Sequence, residues 1–129
     1  MLGFVTIGAV DHDKSVKFYD AILGEIGYHR TTNEGGWAGY TLRGSDKAGV
    51  YIVSSTNNGQ PAKAGNGIMI ALNARGRAEV EAVHKAGLRS GGTDEGAPGP
   101  RPPESKDFFA CYLRDPTGNK LCVFSRGSA

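Results

Sequence analysis

The sequence FFACYLRDPTGNKLCVF, residues 108–124, predicts a β-hairpin close to the C-terminal end of the chain. Its apolar stretches Phe108 to Arg114 and Lys120 to Phe124 flank the turn Asp115-Pro116-Thr117-Gly118-Asn119. Proline fixes one backbone φ angle, while glycine and asparagine tolerate positive φ, so this pentapeptide is suited to reversing the chain. We therefore expect two neighbouring antiparallel strands here.

Upstream of the hairpin, the pattern predicts one strand and one helix. The apolar run from Gly67 to Leu72 is typical of a strand, and Arg77 to Arg89 carries apolar residues at helical spacing, ended by Gly91-Gly92. The segment between this helix and the hairpin, Glu95 to Glu104, is rich in glycine and proline and is expected to be a loop.

The N-terminal part repeats this pattern. A strand at Phe4 to Ile7 precedes a helix that starts at Asp11, and the helix is followed by three predicted strands. Met69 stands 65 residues after Phe4, and His84 stands 65 after Tyr19, in the corresponding strand and helix. We predict an α+β fold of two βαβββ modules, residues 1–54 and 67–129 with a linker at 55–66, forming one cupped mixed or antiparallel sheet with the helices outside.

Length and composition exclude several classes of protein. The chain has 129 residues, which is enough for one domain with a single core. The 15 basic and 13 acidic residues are interspersed and give a net charge of +2, so a nucleic-acid-binding face is not favoured. Two cysteines, no signal-peptide pattern and no long apolar run favour a cytoplasmic protein without a membrane segment.

Two motifs carry a resemblance to a known family. The helix motif Ser15-Val16-Lys17-Phe18-Tyr19, followed by the turn Asp115-Pro116-Thr117-Gly118-Asn119-Lys120, resembles the vicinal oxygen chelate superfamily. That group contains glyoxalases, bleomycin resistance proteins and ring-cleaving (extradiol) dioxygenases. The resemblance implies the cupped sheet, a homodimer, and the segment Gly96 to Glu104 lying over the mouth of the cup as a lid.

Enzymes of that superfamily hold a divalent metal through His or Gln on the first strand of each module and Glu on the last. The resemblance places four residues of this chain at those positions: Phe4, Tyr51, Met69 and Cys122. Phenyl, phenol and thioether groups are poor ligands for divalent metals, and one thiolate does not make a site. We therefore expect no metal cofactor, and the metal-dependent lactoylglutathione lyase mechanism loses its support.

Alternation along the strands indicates which side chains share the cup with those four positions. The predicted lining is apolar and aromatic with a few hydroxyls, and it consists of Phe4, Thr6, Tyr51, Met69, Tyr112 and Cys122. Trp37 is a second aromatic candidate, either as a wall for a flat ligand or as a packing residue. Arg43 and Arg101 are candidate partners for an anion, or else solvated surface residues.

Three functions remain open at this stage. The first is a metal-independent protein that binds a small aromatic or amphipathic molecule in the cup. The second is a metal-dependent lyase or dioxygenase that uses displaced ligands such as His12 or His84, although His84 is expected to be structural. The third is a dimeric structural or interaction domain. No catalytic residue is assigned, and Cys111 is expected to point away from Cys122, which disfavours a disulfide.

Overall fold

The computed structural model describes residues 1–127, and its architecture is α+β as expected. The elements repeat the order βαβββ. They are β1 (Val5–Gly8), α1 (His12–Gly24), β2 (Tyr28–Glu34), β3 (Trp37–Leu42), β4 (Val50–Val53), β5 (Ile70–Asn73), α2 (Arg77–Arg89), β6 (Thr93–Pro100), β7 (Phe108–Arg114) and β8 (Lys120–Arg126). Residues 54–69, which connect β4 to β5, form neither helix nor strand.

The strands form two four-stranded mixed sheets with the same internal order, β1-β4-β3-β2 and β5-β8-β7-β6. In each sheet the first and last strands of the module pair in parallel, and the remaining neighbours are antiparallel. Thr6 lies opposite Tyr51 in the first sheet, and Ala71 lies opposite Cys122 in the second. Tyr51 and Cys122 therefore occupy equivalent positions in the two modules.

The core lies between the two helices and one face of each sheet. The Asp11 carboxylate accepts a hydrogen bond from the Lys14 amide and caps α1, whose buried face packs against α2. Phe18 and Tyr19 are fully buried on α1, as are Val80 and Val83 on α2. The other face of each sheet, called the open face below, carries the alternate residues of every strand.

The structure corrects the prediction for the glycine- and proline-rich segment. Thr93–Pro100 is not a loop but the edge strand β6, paired with β7 through two register irregularities around Gly96, and residues 101–104 alone of the predicted loop lie outside a strand. Proline is tolerated there because an edge strand leaves one row of amides without a sheet partner. The strand beginning at Gly67 is also shorter than predicted, since Gly67 has a φ of 103° and β5 starts at Ile70.

The two cysteines are free, and their side chains occupy different environments. The Cys111 thiol contacts the Val80 carbonyl at 3.7 Å on the helix side, and burial raises its pKa to about 12. Cys122 pairs in register with Tyr112 on the open face. The predicted separation of the two thiols is confirmed.

Within residues 1–127, neither helix is long and apolar enough to cross a membrane.

Candidate functional site

A buried carboxylate holds the predicted hairpin turn against the first module. Asp115 accepts a hydrogen bond of 2.6 Å from the Tyr19 hydroxyl and three more from the amides of residues 117–119. Asn119 Nδ2 donates to the Asp115 carboxylate and to the Gly8 carbonyl at the end of β1. Burial and the adjacent carboxylate raise the pKa of Tyr19 well above its usual value, so its phenol remains a donor. These bonds fix β8 relative to β1.

Three aromatic side chains meet on the open face of the first sheet. The Tyr51 ring packs edge-on against Phe4, with centroids 5.2 Å apart, and against Trp37 at 5.4 Å. Phe4 remains 55% exposed and Trp37 40% exposed. Gly39 lies beneath the Tyr51 ring, where a Cβ atom would come within 2.8 Å of it. We call Phe4, Trp37 and Tyr51 the aromatic cluster.

A second group of side chains meets on the open face of the second sheet. The Arg101 guanidinium carbon and the Lys120 ammonium each lie 5.6 Å from the centre of the Tyr112 ring. Cys122 lies beside Tyr112 in register, and burial raises the pKa of its thiol although both cations favour the thiolate. We call Arg101, Tyr112 and Lys120 the cationic cluster.

The structure thus brings the predicted residues together in two groups rather than one. Phe4, Trp37 and Tyr51 meet on the first sheet, and Arg101, Tyr112 and Cys122 on the second. Thr6 lines a cavity of about 280 Å³ between the modules, and Met69 lines another of about 490 Å³. Lys120 lines both cavities, so both lie beside the second group.

Sequence reasoning missed Lys120. The signal was present, because Lys120 stands two residues before Cys122 on the same strand and therefore shares its face. Arg43, by contrast, lines a cavity of about 670 Å³ formed by Ile26–Tyr28 and Asn73–Arg75. Arg43 is the one candidate from the sequence that lines this cavity, and the other candidates lie elsewhere, so we place the candidate site there.

The donor set does not fit a divalent metal site. Phe4 and Tyr51 face each other as packed rings, and a phenyl ring offers no lone pair to a cation. His12 Nε2 lies 2.9 Å from the Ile52 carbonyl, and His84 Nε2 lies 2.8 Å from Asp94 Oδ1 on the helix side. Residues 1–127 contain no group of three or more His, Cys, Asp or Glu side chains placed to hold a metal ion.

Comparison with known proteins places these features in a family. The family model of the glyoxalase/bleomycin resistance protein/dioxygenase superfamily matches residues 2–123. A crystal structure of a glyoxalase/bleomycin resistance protein from Albidiferax ferrireducens is 37% identical, with a TM-score of 0.85, and the match covers 98% of this chain and 99% of that one.

Two less similar structures share the fold. A glyoxalase-related enzyme from Fulvimarina pelagi is 17% identical with a TM-score of 0.73, covering 97% of this chain and 87% of that one. A family enzyme from Burkholderia phytofirmans is 13% identical with a TM-score of 0.70, covering 95% of each chain. None of the curated proteins compared with the chain matches it. The chain belongs to the glyoxalase/bleomycin resistance protein/dioxygenase superfamily.

Proposed function

We propose that this protein binds a small aromatic or amphipathic molecule on the open faces of its sheets and does so without a metal ion. The observation that carries this proposal is the exposed aromatic cluster. Large apolar rings left half exposed side by side mark a surface that gains free energy by covering them. The donor set supports the metal-free part, since the family resemblance aligns Phe4 with a metal-ligand position and a phenyl ring has no donor atom.

The ligand would lie against aromatic walls with few polar groups beside it, which is the usual character of a small-molecule site. The Thr6 and Thr32 hydroxyls supply polar groups beside the rings, because Thr6 lies opposite Tyr51 and Thr32 lies over Gly39 together with the Tyr51 ring. Each ring lies on the sheet face opposite the helices, so contact with a ligand does not require the core to move. The proposed site therefore needs no rearrangement of the residues that keep the chain folded.

Trp37 provides a direct test, because it is the only tryptophan of the chain. We expect 4-nitrobenzyl alcohol, a neutral aromatic quencher, to reduce Trp37 fluorescence with saturable binding. Tyr51→Ala removes the central ring of the cluster and is expected to weaken this binding about tenfold, the effect of losing one aromatic contact of 1–2 kcal/mol. Titration followed by fluorescence and calorimetry measures both affinities.

Leu88→Ala is the matched control, because Leu88 is an exposed apolar residue on α2, away from the open faces. It should leave the affinity unchanged. Free N-acetyltryptophanamide is quenched in linear proportion to the quencher concentration, without saturation. The same linear quenching of Trp37 in the wild-type protein would contradict the proposal.

The metal-free part of the proposal has its own test. After incubation with Ni²⁺, Zn²⁺, Mn²⁺ or Fe²⁺ and desalting, we expect well below one metal ion per chain, because the four family positions lack suitable donors. Elemental analysis gives the ratio, with a known zinc enzyme carried through the same steps. One tightly held ion per chain would overturn the claim and favour a lyase or dioxygenase with displaced ligands.

A dimeric interaction domain is the second candidate function, and exposed apolar residues favour it. Ile68 and Met69 stand side by side with 68% and 44% of their surface exposed, in addition to the aromatic cluster. A homodimer that covers these residues would leave no room for a ligand. Sedimentation analysis gives the oligomeric state, and titration with 4-nitrobenzyl alcohol shows whether the rings are accessible. A dimer that neither binds the alcohol nor shows quenching of Trp37 would favour this function over the first.

A further inference from the structure

We propose that the ligand carries an oxyanion, a carboxylate or a phosphate, which binds on the open face of the second sheet at Arg101 and Lys120, the cations that flank the Tyr112 ring. The inference rests on the proposed function, because it assumes that the ligand occupies the open faces. It adds the chemical class of the ligand and a polar subsite to hold it.

The arrangement of charge around Tyr112 is the first argument. Two cations lie at the same distance, 5.6 Å, from the centre of one ring, with Arg101 on the side of β6 and Lys120 on β8, so positive charge flanks the ring. In residues 1–127, neither Arg101 nor Lys120 has a carboxylate within ion-pair distance. An anion on this part of the open face would be attracted by both charges.

The nearest acidic residues of β6 are already committed elsewhere. The Glu95 carboxylate lies 3.0 Å from Arg114 Nε, and the Asp94 carboxylate lies 2.8 Å from His84 Nε2 on the helix side. These two ion pairs do not include Arg101 or Lys120, so they leave the positive charge of the cationic cluster unbalanced. This distinguishes it from Arg114, whose charge is balanced.

Arg101 is held in position before any ligand binds. Its Nη2 donates to the Ala97 carbonyl at 2.6 Å and its Nη1 to the Pro100 carbonyl at 3.2 Å, which fixes the plane of the guanidinium. A guanidinium has five N–H donors, so three remain for a ligand. A Cβ atom on Gly99 would lie 2.9 Å from Nη1, so glycine is needed for this placement.

The cavity beside Lys120 has room for the apolar part of such a ligand. It measures about 280 Å³ and is lined by Thr6, Ile68 and Ile70 among others. For comparison, an apolar cavity of about 150 Å³ accepts benzene. A ligand with one ring and one anionic group therefore has space for the ring beside Lys120.

The test compares three probes that share one ring: 4-nitrobenzoate, 4-nitrophenyl phosphate and neutral 4-nitrobenzyl alcohol. We expect at least one anionic probe to bind about tenfold or more tightly than the alcohol, with an affinity that falls as salt is added. Arg101→Gln and Lys120→Gln should each weaken the anion about tenfold and leave the alcohol unchanged. Calorimetry gives the affinities, and the preference between the two anions separates a carboxylate ligand from a phosphate ligand.

Three controls separate this inference from a loss of folding and from general charge effects. Lys85→Gln removes an equivalent positive charge from the exposed side of α2 and should change nothing. Arg101→Lys and Lys120→Arg keep the charge and should retain most of the anion affinity. Thermal unfolding of each variant checks that the fold is intact.

The outcomes distinguish the oxyanion subsite from the proposed function on which it rests. Equal binding of all three probes, unaffected by the Gln variants, overturns the oxyanion subsite and leaves the proposed function standing. Failure of every probe to bind overturns the proposed function itself.

Discussion

Replacing Asp115 with alanine is expected to lower the free energy of unfolding by about 4 kcal/mol, enough to unfold a large part of the protein at 37 °C. The carboxylate accepts bonds from the Tyr19 hydroxyl, from three amides of the turn and from the Asn119 side chain. Removing it leaves the buried Tyr19 hydroxyl without a partner. It also releases the turn that holds Asn119 against Gly8.

The effect should therefore be larger than the loss of one hydrogen bond. Tyr19→Phe removes only the bond to the hydroxyl and is expected to cost about 2 kcal/mol, since the acceptor is charged. Urea unfolding followed by circular dichroism measures both variants. In the double variant the two effects should not add, because each change removes the same contact.

Asp107→Ala is the matched control on the same hairpin. Asp107 forms an exposed ion pair with Arg126, 3.3 Å apart, and such pairs contribute at most about 1 kcal/mol. If Asp115→Ala were no more destabilising than Asp107→Ala, the turn would not be the junction described above.

The second large effect is expected at Gly92, just beyond the end of α2. We expect Gly92→Ala to lower the free energy of unfolding by about 3 kcal/mol, because the added methyl group has no room. A Cβ atom there would lie 2.5 Å from Phe18 Cε1, and also 2.9 Å and 3.0 Å from the carbonyl oxygens of Gly87 and Arg114. The two backbone contacts cannot yield as a flexible side chain would. Chemical denaturation provides the measurement.

Gly24→Ala serves as the comparison, since Gly24 also stands at a helix end. A Cβ atom on Gly24 meets nothing within 4 Å, and its φ is not positive, so the change should be neutral or slightly stabilising. Equal stability of the two alanine variants would show that α2 and β7 can separate to admit the methyl group.

The hairpin and the repeat were predictable because their signals are local or periodic. The turn residues Asp115 to Asn119 specify a reversal by their own backbone preferences, and the 65-residue spacing of Phe4 and Met69 needs only counting. Alternation within β7 and β8 also assigned Cys111 and Cys122 to different faces. The α+β class follows from these features together.

The edge strand β6 could not be predicted from its composition. Gly96 and Gly99 would ordinarily indicate a loop, but here they make room for the Tyr112 ring and the Arg101 guanidinium. Tyr112 belongs to the neighbouring strand β7, so a contact between strands helps to decide the conformation. For the same reason the division of the site into an aromatic and a cationic cluster was visible only in three dimensions.

The two-sided character of the sheets has a consequence for how this scaffold can evolve. Val50 and Ile52 support the helices, whereas Tyr51, between them, points to the open face. Exchanging a residue such as Tyr51 alters the chemistry of the open face while the residues that keep the chain folded remain in place. The open face can therefore change by single mutations with little loss of stability, except at Gly39 and Gly96, where any side chain would displace a ring.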